Sequence, residues 1–206
     1  MMVLTKKIES IPQQWTDKED VNLRVRQKEW TYEDYLNLPD DGQRYEIIEG
    51  SLYVSNAPDI DHQFTVVKLV SQMDVFVTQN KQGYVLTAPF EVHLSKTTRP
   101  VQPDVLFIKA KKWPTPGAKF FNGAPDLVVE VLSPSTRRLD QSIKFRAYEN
   151  ANVAEYWIVD PKTHLVQVFS LDNQEYVLIG EFMNQELIES KVLPDLKIIA
   201  ASLFNT

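Results

Sequence analysis

The stretch Ala124 to Thr136, APDLVVEVLSPST, narrows the folds open to this chain more than any other. Leu127, Val128, Val129, Val131 and Leu132 read as a strand inside a sheet, ended by Ser133 and Pro134. Side chains alternate along a strand, so Asp126, Val128, Glu130 and Leu132 share one face. A carboxylate in mid-strand is costly to bury unless something pairs with it. What Glu130 faces is therefore the question that the other elements have to answer.

Those elements can be read along the chain. Residues 1–28 show no sustained periodicity and read as a flexible N-terminal arm, leaving 29–206 as a single domain. Thr31 and Asp34 form a capping box for a short helix that stops at Leu38-Pro39. RYEIIEGSLYVS reads as a hairpin about Glu49-Gly50-Ser51. PDID supplies an N-cap, and Val66, Leu69, Val70, Met73, Phe76 and Val77 recur at helical spacing until Gly83. Strands are expected at 84–95 and 104–110, then, after a Pro-, Gly- and Lys-rich loop, at Leu127–Leu132. A second helix is expected from Asp140 to Asn150, a strand at 155–160, a strand in THLVQVFS, and a strand pair over roughly 175–192. The class is α/β, with a central mixed sheet between the two helices and terminal hairpins that extend it.

Length and composition set bounds. With 206 residues, the chain suffices for one domain with a sizeable core. It has no cysteine, which excludes disulfides and thiolate metal sites. No apolar run reaches the length of a membrane span and no signal-peptide core opens the chain, so a cytoplasmic protein is expected. The net charge of −6 argues against nonspecific wrapping of nucleic acid. Its distribution is uneven: Lys96 to Phe120 holds Lys96, Arg99, Lys109, Lys111, Lys112 and Lys119 against the single acid Asp104.

Asp104 opens the strand before the one that carries Glu130. If the two strands are neighbours, their carboxylates can converge on one cation, and two carboxylates plus waters suit Mg²⁺ or Mn²⁺. Asp140, Lys144 and Tyr148 are spaced i, i+4, i+8 and form one stripe on the following helix. A helix packed back over its strand can aim that stripe at Glu130. Two carboxylates for a metal and one lysine for an anion are the parts needed to cleave a phosphodiester.

The array Pro103-Asp104, Glu130-Val131-Leu132 and Lys144 resembles the PD-(D/E)XK nuclease superfamily. More closely, RYEIIEG, His62 at a helix start, PDV, PDLVVEVLSPST, the Asp140, Lys144, Tyr148 stripe and EYWIVDP resemble the Uma-type bacterial restriction endonucleases, over about residues 30–204. The resemblance implies a restriction-endonuclease-like αβββαβ core with added hairpins at both ends. It also implies a Mg²⁺-dependent endonuclease acting on DNA, in which Mn²⁺ can substitute. Asp104, Glu130 and the Val131 backbone carbonyl would hold the metal, with Glu46 and His62 at family positions near it. One departure stands out: the superfamily lysine lies two residues after the acid, where this chain has Leu132, and Lys144 from the next helix takes that role. Phosphate contacts would come from Lys109, Lys111, Lys112, Lys119, Arg137 and Arg138. A homodimer fits an enzyme that cuts both strands.

Other readings of the same residues stay open. Glu130 could be salt-bridged to Lys144 without any metal, Asp104 could accept backbone hydrogen bonds at a strand start, and Lys144 could pair only with Asp140. The chain could be a catalytically silent nuclease-fold module that binds DNA or a protein, or a two-carboxylate glycosidase.

Overall fold

In a computed structural model the fold is described for residues 30–205. The arm expected over residues 1–28 lies outside the described residues. Thr31 caps a one-turn helix, α1 (Tyr32–Tyr35), through the reciprocal bonds with Asp34 that the capping box predicts. β1 (Arg44–Ile48) and β2 (Ser51–Ser55) form an antiparallel hairpin. Glu49 and Gly50 at its turn both have positive φ, 50° and 72°.

Asp59 then caps α2 (Ile60–Gln79), a helix of 20 residues, by accepting from the His62 N–H. Its buried stripe, Leu69, Met73 and Val77, is fully enclosed against one face of the main sheet. Each such side chain contributes about 1.5–3 kcal/mol by leaving water. β3 (Gly83–Thr87) runs antiparallel to β5 (Val105–Lys109). A Cβ at Gly83 would run into the Ile108 carbonyl, so glycine permits that close approach. β4 (Glu91–His93) pairs in parallel with β6 (Phe120–Asn122) in a separate small sheet. β7 (Leu127–Val131) follows, antiparallel to β5 and parallel to β8 (Glu155–Asp160). β9 (Leu165–Asp172) and β10 (Glu175–Phe182) complete a six-stranded mixed sheet in the order β10-β9-β8-β7-β5-β3.

Between β7 and β8 the helix expected from Asp140 has two parts. Leu139–Lys144 form a π-helical turn, continued by the short α3 (Phe145–Asn150). Counting α2, β3, β5, β7, α3 and β8 gives the αβββαβ order, with helices against both faces. Val129 and Val131 point to the α2 face, while Val128 and Leu132 join Tyr148 and Tyr156 on the other.

The structure departs from the sequence reading in four places. The strand expected over 84–95 breaks at Pro89, and its halves join different sheets. The loop before β7 contains β6. The strand pair expected over 175–192 is one strand, β10, paired back to β9; the chain beyond it packs irregularly on the α2 side of the core through Ile188, Leu193, Leu196 and Ile198. The C-terminal hairpin extends the main sheet, but the N-terminal one does not. β1 instead receives the segment before β5, with the Ile47 N–H on the Pro100 carbonyl at 2.9 Å.

Candidate active site

β5 and β7 are adjacent, and Val105 is paired with Val129, so the residues one step beyond, Asp104 and Glu130, meet at the same end of the two strands. The Asp104 N–H points at Glu130 Oε2 from 3.4 Å. Asp104 Oδ2 accepts from the Val131 N–H at 2.9 Å and faces His62 Nε2 at 3.1 Å. Its other oxygen accepts from Arg44 Nη1 at 2.8 Å. Since an ionised carboxylate only accepts, His62 Nε2 is the donor. That leaves the buried His62 Nδ1 with no hydrogen-bond partner.

Glu130 is fully buried. Its Oε1 accepts from Lys144 Nζ at 3.0 Å and from the Tyr148 hydroxyl at 2.6 Å. Lys144 also meets Glu46 Oε2 at 3.1 Å and Asp140 Oδ1 at 3.6 Å. Glu46 is oriented by the Gln102 N–H, which donates to Oε1 at 2.7 Å. Tyr156 donates to the Asp140 carbonyl at 3.0 Å and fixes the π turn. The structure therefore brings Asp104, Glu130, Lys144, Glu46, His62, Asp140 and Tyr148 into one buried cluster.

The electrostatics follow from burial and count. Burial pushes the Asp104 carboxyl up, but Arg44, the His62 hydrogen bond and Lys144 outweigh it and hold Asp104 well below the usual carboxylate range. Glu130 goes the other way. Burial raises it, Lys144 opposes, and Asp104, Asp140 and Glu46 raise it further, to well above its ordinary value. Asp140 is pushed up to about 6, again by burial against Lys144 with Asp104 adding to the rise. Burial lowers the Lys144 ammonium, but Glu130, Glu46 and Asp140 raise it more, so it stays charged. With every acid ionised, the carboxylates of Glu46, Asp104, Glu130 and Asp140 face one guanidinium and one ammonium, a deficit of two positive charges. Asp140 Oδ1, which accepts no hydrogen bond and faces Lys144 only from 3.6 Å, is one expression of that deficit.

A divalent cation fits this donor set. Among the described residues no group of three or more His, Asp or Glu forms a ready metal cluster. Mg²⁺, however, is commonly held by one or two carboxylates and keeps most of its waters. Asp104 and Glu130 would be those two, and Glu130 Oε2 is the less engaged oxygen of its carboxylate, holding only the long bond from the Asp104 amide. Val131 donates its N–H to Asp104, and in an extended strand the carbonyl of the same residue faces the same edge. Glu46 reaches the pair through Lys144, whereas His62 touches Asp104 directly.

The basic residues divide. Lys109, Lys111 and Lys112 stand at or beyond the far end of β5, at least about 17 Å along the strand from Asp104 at roughly 3.4 Å per residue. Lys109 and Lys112 turn to Asp126, at 4.0 and 3.0 Å. The five residues of β5 separate this loop from the carboxylates. Arg137 and Arg138 follow the other end of β7, beside the cluster. Arg137 Nη2 binds both oxygens of Asp160 at 2.9 and 3.0 Å, and Arg138 is exposed.

Arg44 is the member of the cluster that sequence reasoning missed. A signal was present, because residues two apart on a strand share a face, and Glu46, two positions on, is itself in the cluster.

The Uma2 family model, described as "Putative restriction endonuclease", matches residues 32–202. Among solved structures, the fold is like that of "a putative nuclease belonging to DUF820 from Anabaena variabilis", with a TM-score of 0.73 at 20% identity, covering 85% of this chain and 97% of that one. No curated protein matches the chain.

Proposed function

Because the chain belongs to the Uma2 family, described as "Putative restriction endonuclease", we propose that it is a Mg²⁺-dependent endonuclease hydrolysing DNA phosphodiester bonds. The observation that carries the reading is the meeting of Asp104 and Glu130 at one end of adjacent strands, inside a buried cluster that sets four acids against Arg44 and Lys144. Asp104, Glu130 and the Val131 carbonyl are the proposed ligands, and Mn²⁺ would substitute for Mg²⁺. A divalent cation held there supplies polarisation of the scissile phosphate and a bound water of lowered pKa.

The chain's own residues prepare that site. Arg44, His62 and the Val131 amide keep Asp104 ionised and fixed in orientation. Lys144 and Tyr148 grip one oxygen of Glu130 and leave the other turned toward Asp104. A Glu130 proton retained in the absence of a cation would be released when one binds, so metal affinity rises with pH. Arg138 and Arg137 are the proposed DNA contacts on the side of the cluster. DNA as substrate, a cytoplasmic location and two copies acting on opposite strands complete the reading.

One observation favours a different reading, a catalytically silent nuclease-fold module that binds DNA or a protein. Asp104 and Glu130 are already engaged by Arg44, His62, Lys144, Tyr148 and backbone amides, an arrangement that holds without a metal. Cleavage of supercoiled plasmid by wild type and Glu130→Ala, each with Mg²⁺, with Mn²⁺ and with EDTA, separates the two, alongside calorimetric titration of Mn²⁺. The endonuclease reading expects nicking that needs metal and Glu130. Absence of both nicking and Glu130-dependent Mn²⁺ binding would leave the silent module.

A further inference from the structure

The cluster holds two cations, and they differ in where they can act. The Lys144 side chain is 0% exposed and stands among the carboxylates of Glu130, Glu46 and Asp140. An anion approaching it would have to displace those acids. The Arg44 side chain keeps 21% of its surface exposed while touching Asp104. Its Nη1 is on Asp104 Oδ1 and points at the Gln102 carbonyl from 3.5 Å, and its Nε is on Ser55 Oγ at 3.3 Å. A guanidinium has five N–H donors, and those on Nη2 carry no hydrogen bond among the described residues.

On the basis of the endonuclease reading, we propose that Arg44 grips the scissile phosphate, and that Lys144 is an internal counter-ion that positions Glu130. Arg44 is suited to this by chemistry and by place. Its planar fork matches two phosphate oxygens, and it stays charged at any working pH. Anchored on Asp104, it holds a bound phosphate beside the oxygens proposed to take the metal. Charge developing on that phosphate during attack then meets a fixed donor. The residue that answers for the lysine missing at position 132 is therefore an arginine from the N-terminal hairpin.

The test is equilibrium binding of a short DNA duplex in EDTA over a range of salt concentrations, for wild type, Arg44→Ala, Arg44→Lys and Lys144→Met. Losing one phosphate contact lowers the slope of log K against log salt by about 0.9. Arg44→Ala should show that loss, while Arg44→Lys and Lys144→Met should keep the wild-type slope. In single-turnover plasmid cleavage Arg44→Lys, which retains the charge but not the fork, should be about 100-fold slow, with Mn²⁺ affinity within threefold of wild type.

An unchanged slope in Arg44→Ala overturns the proposal, as does an equal loss in Lys144→Met or a wild type that shows no salt-dependent duplex binding. Arg44→Lys with a much altered Mn²⁺ affinity and normal cleavage at saturating metal would reduce Arg44 to a support for Asp104. The endonuclease reading fails separately: a wild type that binds with full salt dependence but never nicks would sink that reading and leave the Arg44 contact standing.

Discussion

β5 and β7 carry acid–cation groups at both of their ends, and the two ends are built to different rules. At one end Asp126 accepts the Lys109 N–H at 2.9 Å and meets Lys112 Nζ at 3.0 Å. There one acid faces two lysines whose side chains are 44% and 40% exposed. At the other end four acids and Lys144 are packed out of water, with Arg44 at their edge. The open end has charge to spare and a solvent that screens it, so it settles without help. The closed end holds more acids than cations, and burial there raises Glu130 and Asp140 instead of leaving them to the solvent. Proximity of opposite charges is thus common to both ends, and burial is what sets apart the end proposed to act.

The sharpest way to break this contrast is to remove one acid from each end. Glu130→Ala should lower metal-dependent plasmid nicking by about 1,000-fold or more, while Asp126→Ala should leave it within about twofold. Equal losses would place the chemistry elsewhere.

A stability comparison comes next. Lys144→Met leaves buried acids without their shared cation and should cost about 3–5 kcal/mol in urea denaturation at pH 7. Lys112→Met, at the open end, should cost less than about 1 kcal/mol.

The third effect is a pH dependence of the metal-free protein. Asp140 is raised from an ordinary 3.8 to about 6 in the fold, so its contribution favours the folded state below about pH 3.8 and is lost as pH climbs through about 6. Asp140→Asn removes that loss. In EDTA at pH 8 the variant should exceed wild type in stability by at most about 3 kcal/mol, with the gap closing toward pH 4. A gap that is constant over this range would mean that Asp140 titrates normally.

The smallest effect concerns salt. Raising NaCl should change the stability of Lys112→Met relative to wild type by a few tenths of a kcal/mol, because the pair it removes is exposed and already screened.

Much of the fold was legible because it depends on local patterns. The Thr31 and Asp59 caps, the Leu69, Met73, Val77 stripe and the alternation about Glu130 each follow from residue type and spacing. So did the direction of the Asp140, Lys144, Tyr148 stripe, since a helix that crosses back over its strand has few places to point. Arg44 was harder, because its partner lies 60 residues away and pairing across that distance leaves no local trace. The break at Pro89 and the pairing of β4 with β6 depend on competition between two sheets, which strand propensity does not describe. The distance between the lysine loop and the carboxylates is set by β5, whose five residues carry its two ends apart.

The π-helical turn at Leu139–Lys144 has a consequence for how this chain can change over time. A π turn holds one residue more than the α-helical path would need. Shortening the segment by one residue there would let an ordinary helix form, and the helix itself would lose nothing. Lys144 and Tyr148, which follow the bulge, would then stay on Glu130, and only Asp140 inside it would shift. A deletion after Lys144, in the regular helix, would instead rotate Tyr148 by about 100° away from Glu130. The π turn is therefore slack that the later part of the segment lacks: one residue should be expendable between Leu139 and Ile143 and none between Phe145 and Ala147.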